Sequence, residues 1–238
     1  MHLAKVLFGK SKPIILLAIS LLAGGCSVFQ EGRSFVPREG DLLFQDMDGG
    51  PLCEAIERVT TGYRGAKFTH VGIVAKSDDG NFVVIEARRD GVVVTPLAVF
   101  LSRSSDSSQR PKVVVGRLRR RYCHLIPGAI KEAFALKGRA YDKAFVIDNE
   151  AYYCSELIYE IFLRANANNP VFILQPMTFN DPDTGSVFPA WQEYFSQLGV
   201  AIPEGKPGIN PGGISRSPVL SIVHAYGIPD GWDEKTLK

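Results

Sequence analysis

Short apolar runs alternate with clusters of Gly, Pro, Asn and Asp through the first 165 residues, and three stretches there carry apolar residues at helical spacing. Asp41 to Gln45 predicts a short strand. Pro51 to about Thr60 predicts a helix, with Pro51 in the first helical position, where its missing N–H has no partner to lose. Three strands follow in quick succession, Phe68 to Ala75, Phe82 to Ala87 and Val92 to Thr95. Between them lie Asp78-Asp79-Gly80-Asn81 and Asp90-Gly91, both tight-turn chemistry, so the three read as a meander. A further strand is expected at Lys112 to Leu118, then helices from about Pro127 to Leu136 and from about Tyr152 to Arg164. From Ala165 the chain turns rich in Pro, Gly and Asn, with one amphipathic helix at Pro189 to Leu198 and a late strand at Val219 to His224. The pattern predicts an α+β fold in which helices bracket an antiparallel sheet.

Composition narrows the class. Of 238 residues, 45% are hydrophobic and 22% charged, which supports one well-buried core and excludes a disordered or fibrous chain. The formal net charge is +2, yet the first 25 residues hold Lys5, Lys10 and Lys12 and no acid. Those three lysines exceed the whole net charge, so the remainder is close to neutral and offers no general argument for nucleic acid. The apolar run Ile14 to Ala23 and the small exit Gly24-Gly25 then read as a secretory signal, too short to span a bilayer. The small residues before Cys26 resemble the lipobox of bacterial lipoproteins, with Ala23 where that pattern prefers Leu. The resemblance implies cleavage after Gly25, lipidation of Cys26 and anchoring to a membrane of the cell envelope. Ser27 next to the lipidated cysteine is similar to outer-membrane lipoproteins, which implies the periplasmic face of the outer membrane in an organism with two membranes. An unlipidated secreted protein is the alternative. On this reading residues 1–25 are signal, 26–38 a tether, and 39–238 a single domain with a core over 39–165 and a C-terminal extension over 166–238.

Three residues interrupt the apolar patterns. His70 sits in Phe68-Thr69-His70-Val71-Gly72-Ile73-Val74, a strand apolar on both faces and therefore central. Gly72, two residues on and on the same face, removes a side chain beside the ring. Glu86 ends the run Phe82-Val83-Val84-Ile85-Glu86, where a carboxylate is either exposed at a strand end or buried and paired. Register decides between these. A turn of odd length centred on Asp79 sets Arg88 opposite His70 and puts Glu86 on the same face, diagonal to the ring and within reach. An even turn sends Glu86 to the other face. Cys154, in Tyr152-Tyr153-Cys154-Ser155-Glu156, precedes Leu157, Ile158, Ile161 and Phe162 at helical spacing, which places it in a first helical turn with Asp148 or Asn149 as a cap. Unpaired N–H groups there favour a thiolate. The plain alternative is a buried cysteine heading an apolar stripe.

A cysteine at a helix start, a strand histidine and a carboxylate to orient it are the parts of a papain-like nucleophilic site. Leu136-Lys137-Gly138-Arg139-Ala140-Tyr141-Asp142 followed by Tyr153-Cys154-Ser155-Glu156-Leu157 resembles the NlpC-type cell-wall cysteine peptidases, in which the His strand comes after the cysteine. Here Thr69-His70-Val71-Gly72 comes before it. The order His, Glu, Cys, with Gly40-Asp41-Leu42-Leu43-Phe44 upstream, resembles the circularly permuted papain-like amidase family. That resemblance implies a papain-like antiparallel sheet packed against helices, Cys154 as nucleophile at a helix N-terminus, His70 as general base and acid, and Glu86 orienting His70. It also makes Tyr141 a candidate oxyanion donor, with packing as the equal alternative, and implies no metal and no cofactor. Tyr153 and Glu156 stand where the NlpC-type enzymes carry Asp and Gly, so their peptidoglycan specificity is not carried over.

The expected function is cleavage of an amide through a thioester, with peptidoglycan peptides as the first substrate class. Lipid or N-acyl amides, or acyl transfer, form a second, because the lecithin retinol acyltransferase family also places its His strand before the Cys. A non-catalytic binding lipoprotein is a third. The remaining candidates are weaker. Cys123-His124 lacks a second pair at zinc spacing. Cys53 reads as core filling, with a disulfide to Cys123 as the minor alternative. The basic run Arg117, Arg119, Arg120 and Arg121 reads as a solvated strand exit, with anionic headgroups or glycan second.

Overall fold

Strand residues alternate between two differently covered faces in the computed structural model, which describes residues 35–147 and 149–233. β1 (Leu42–Gln45), β2 (His70–Lys76), β3 (Phe82–Arg88), β4 (Gly91–Pro96) and β5 (Val113–Leu118) follow the expected order; the two-residue strands β6 (Gln175–Pro176) and β7 (Pro207–Gly208) pair with each other, and β8 is Leu220–Ala225. Six of these form one antiparallel sheet in the order β4-β3-β2-β1-β5-β8, so β2 is central and the late strand closes one edge. The helices are α1 (Pro51–Val59), α2 (Leu97–Leu101), α3 (Ile126–Ala135), α4 (Cys154–Ala165), α5 (Pro189–Leu198) and α6 (Pro211–Ser215). The sequence-based bounds differ from these by one or two residues at most ends, where helix and strand termini are least defined.

Phe44, Val71, Ile73 and Ile85 point to the face covered by α3 and α4, where they pack with Leu157, Ile158 and Phe162. Each such side chain contributes about 1.5–3 kcal/mol by leaving water. Leu43, Val74, Val84 and Val115 point the other way and pack against Phe100 of α2. A third cluster joins α1 to α5 through Ala55, Phe179, Trp191 and Phe195.

The register that decides the fate of Glu86 comes from the β2–β3 turn. Its residues, 77–81, are odd in number; Ser77 N donates to Asn81 O at 3.0 Å, Gly80 N to Ser77 O at 2.8 Å, and Gly80 takes the left-handed φ of 80° that closes the loop. Ile73 therefore lies opposite Ile85 and Val74 opposite Val84. Two residues further along, Glu86 and His70 share the α2 face.

One sequence-based expectation is corrected, and one minor alternative is settled. Asn149 does not cap α4: its Oδ1 accepts from Ala151 N at 3.0 Å, a local turn that ends before the helix, and Asp148 lies outside the described residues. Tyr153 is the residue before the helix, and its N–H donates to Glu156 Oε2 at 3.3 Å. Nor are Cys53 and Cys123 bridged. Both are free thiols, one half-buried on α1 and the other exposed in the turn after β5. Cys26 and the signal lie outside the described residues. In the basic run, Arg117 makes a two-pronged pair with Asp41 at 2.7 and 2.7 Å, while Arg120 and Arg121 are exposed.

Candidate active site

His70 is the first residue of β2, at the end of the sheet, where the layer of α4 and the layer of α2 meet. Its ring is buried, and Nε2 lies 2.6 Å from Glu86 Oε2. Gly72 makes that approach feasible: a Cβ at position 72 would stand 3.2 Å from the Glu86 Cβ and 2.5 Å from Val84 Cγ1. Cys154, first residue of α4, lies close enough to the ring to help raise it. With Nε2 taken by the carboxylate, Nδ1 is the nitrogen left for sulfur. The fold thus gathers the three residues that the interrupted patterns singled out.

Glu86 is wholly buried and fully satisfied. Arg103 grips it with two parallel bonds, Nη1 to Oε2 at 2.6 Å and Nη2 to Oε1 at 2.5 Å, and Thr95 Oγ1 donates to Oε1. Such a planar two-pronged pair is the arrangement best able to keep a buried carboxylate ionised. Burial pushes the Glu86 carboxyl up, but the bonds from Arg103, His70 and Thr95 outweigh it and hold the group down to about 2. Burial likewise pulls His70 down, and its bonds to Cys154 and Glu86 outweigh that, raising it to about 9. At neutral pH the ring is an imidazolium between a carboxylate and a sulfur.

Arg103 escaped the sequence reading because it sits in the serine-rich stretch Ser102 to Ser108, which carries no apolar period. A buried Glu demands a cation, but 27 lysines and arginines were available to supply it. Only the chain path after α2 selects this one, whose guanidinium also covers the Phe100 ring at 5.1 Å.

Tyr141 lines the same cavity as Cys154. Burial, and then the neighbouring sulfur, push its phenol well above 10, so it keeps its proton and remains a donor. The loop carrying it is pinned by Asp142, whose carboxylate accepts from Ala144 N at 2.8 Å and Val146 N at 2.6 Å, and by Tyr152 N donating to Ala140 O at 3.0 Å. Across the cavity the chain near α6 is clasped to both flanks of Cys154. Ser155 Oγ donates to Ile209 O at 2.9 Å, and Ile209 N donates to Tyr153 OH at 3.2 Å.

A family model described as the permuted papain-like amidase enzymes, YaeF/YiiX, C92 family, matches residues 36–224. The chain belongs to this permuted papain-like amidase family. As a member it is a papain-like cysteine amidase, with the His strand, the carboxylate strand and the Cys helix in permuted order. Among solved structures it is similar to the crystal structure of the metalloprotein yiiX from Escherichia coli O157:H7, with a TM-score of 0.63 and 20% identity over 81% of this chain and 99% of that one. No curated protein matches it.

The metal in that description belongs to the neighbour, and the described residues of this amidase do not fit one. Among the described residues the one group of three close candidate ligands is Asp46, Asp48 and Asp230. The Lys112 ammonium already stands among them, 3.2, 2.7 and 3.6 Å from their oxygens, where a cation would be. Cys123 instead turns its thiol toward the Leu118 carbonyl, at 3.6 Å.

Proposed function

We propose that this protein is a cell-envelope cysteine amidase, lipid-anchored through Cys26, that cleaves its substrate through a thioester on Cys154. The observation that carries this reading is the 2.6 Å contact between His70 and an arginine-clamped Glu86, with Cys154 beside the ring. Sulfur attacks the amide carbonyl carbon and a C–S bond forms. His70 passes its proton to the amide nitrogen, the C–N bond breaks and the amine departs. Neutral His70 then takes a proton from water, whose oxygen attacks the thioester; the C–S bond breaks, the acid leaves and the proton returns to the ring. The N–H of Cys154, without an intrahelical partner at the first position of α4, and the Tyr141 hydroxyl hold the oxyanion. Glu86 fixes the ring's orientation and supports its charge.

Of the substrate classes open to such a site, the cavity beside Cys154 favours an uncharged acyl amide over a cell-wall peptide. Mass spectrometry of enzyme quenched during turnover of an acyl p-nitroanilide tests the chemistry. The expected adduct is one acyl group on the peptide holding Cys154, removed by hydroxylamine and absent from Cys154→Ser. Release of p-nitroaniline with no adduct at any time, or release undiminished in Cys154→Ser, would refute the mechanism.

A further inference from the structure

The register of β1 on β2 sets Gln45 directly opposite His70. Opposed residues on adjacent antiparallel strands share a face, with their Cβ atoms about 5 Å apart. The face is that of α2, because Leu43, two residues before Gln45, packs there against Phe100. Gln45 is wholly buried.

Only half of its amide is spent. Nε2 donates to the Phe100 carbonyl at 2.9 Å, with Ser104 Oγ at 3.5 Å as a weaker second acceptor. The Phe100 ring lies 5.9 Å from that of His70, and Arg103, which clamps Glu86, follows three residues on. Oε1 finds no partner among the described residues. A buried amide oxygen left unpaired costs free energy. That cost is offset when a positive charge stands beside it, since a carbonyl dipole favours a cation more strongly in a protein interior than in water. The ring opposite Gln45 supplies such a charge.

The charged and titratable groups around that ring come from every side but β1. Glu86 approaches from β3, Arg103 from the segment after α2 and Cys154 from α4, while Tyr141 lines the cavity on the sulfur's side. Asp46 and Lys112, at the ends of β1 and β5, pair with each other at 3.2 Å. With Nε2 held by Glu86 and Nδ1 left for the sulfur, the C–H edges of the ring are what an oxygen from β1 can meet. On an imidazolium those edges carry part of the positive charge.

Resting on the amidase reading, we infer that Gln45 is a positioning residue for His70. Its amide N–H holds the end of α2, and with it Phe100 and Arg103, while its amide oxygen supports the imidazolium across the strand pair. Gln45 acts through the ring alone, for it does not line the cavity beside Cys154. Support for the charged ring raises the pH at which the ring loses its proton, so removing the oxygen lowers that pH.

Two variants separate this role from packing. Gln45→Met keeps the volume and removes the dipole. The alkaline limb of its kcat/KM should move down by about half a pH unit or more, with kcat about tenfold lower and KM little changed. Gln45→Glu keeps an oxygen at the same reach. Ionised, it supports the ring more strongly; protonated, it donates to the Phe100 carbonyl and leaves its second oxygen where Oε1 stood. In both cases the limb should lie at or above that of the wild type. A limb unmoved in Gln45→Met, or lowered as far in Gln45→Glu, would overturn the proposal whatever happens to stability.

A second measurement needs neither turnover nor a variant. In wild type carrying 13C-labelled histidine, His70 is recognised by NMR as the ring titrating near pH 9. One of its two carbon-bound ring protons should lie downfield of its counterpart on the imidazolium of exposed His124. Both protons at the His124 positions, or no ring titrating above the ordinary histidine range, would sink the role of Gln45. The downfield proton in a wild type that hydrolyses no amide would uphold the support from Gln45 and refute the amidase mechanism instead.

Discussion

Among the described residues, two of the clusters of buried charge are built to opposite ends. Around Glu86, one carboxylate meets Arg103, Thr95 and His70, with both oxygens engaged, and the cluster opens through His70 onto a nucleophile and a cavity. Around Lys112, one ammonium meets three carboxylates, and Asp46 Oδ1, wholly buried, finds no partner among the described residues. Burial there raises the Asp46 carboxyl, where the Glu86 carboxyl is lowered. The Lys112 cluster ties the end of β1 and the start of β5 to Asp230 in the C-terminal segment. Burial and charge are common to both. What separates a reactive site from a structural tie is that its carboxylate is saturated while its imidazolium faces a sulfur.

The largest effect expected from breaking the contrast is at Glu86. Glu86→Gln keeps the shape but removes the charge, leaves Arg103 without its counter-ion and strips the imidazolium of its support. kcat/KM should fall about 10³-fold; a loss below tenfold would place Glu86 with the structural ties. Lys112→Met should do the reverse. It strands the buried Asp46 carboxylate and should cost about 3 kcal/mol or more of unfolding free energy in urea, while the folded fraction keeps its kcat/KM. A stability change under 1 kcal/mol, or an activity loss above tenfold, would erase the distinction between the clusters.

A smaller effect, and a sharper one, concerns pH. A group raised on folding, as His70 is to about 9, gives stability that is full below its ordinary 6.5 and lost as pH rises through 9. One lowered on folding, as Glu86 is to about 2, gives stability that is full above its ordinary 4.5 and lost as pH falls toward 2. Wild-type kcat/KM should therefore fall above about pH 9, where the imidazolium loses its proton. Arg103→Lys replaces the two-pronged grip with a point charge. Its alkaline limb should stay within half a pH unit while the acid limb of its unfolding curve moves upward and kcat drops about tenfold with KM little changed. An unmoved acid limb would mean that Arg103 does not set the state of Glu86.

Much of this arrangement was legible in the residues because period-2 and helical patterns report on neighbours. His70, Glu86 and Cys154 announced themselves as interruptions of apolar runs, but the sequence left open whether the turn was odd or even, and it is the odd turn at 77–81 that puts two of them on one face. Arg103 and Trp191 did not, for different reasons. Arg103 lies in an aperiodic stretch, and its partner is fixed by the path of the chain after α2. Trp191 lies on a helix whose apolar stripe was plain, but that this stripe meets α1 and walls the cavity depends on how the Pro- and Gly-rich segment returns across the sheet. Nor did local turn chemistry near Asn149 report where α4 begins, because the Asx turn there closes on Ala151.

The clasp on Ile209 has a consequence for how such an enzyme diversifies. Both bonds from the flanks of Cys154 go to the Ile209 peptide group and none to its side chain. Position 209 can thus exchange one side chain for another while the nucleophile's neighbours keep their grip, so bulk in the pocket becomes a dial that mutation can turn without retuning the chemistry beside it.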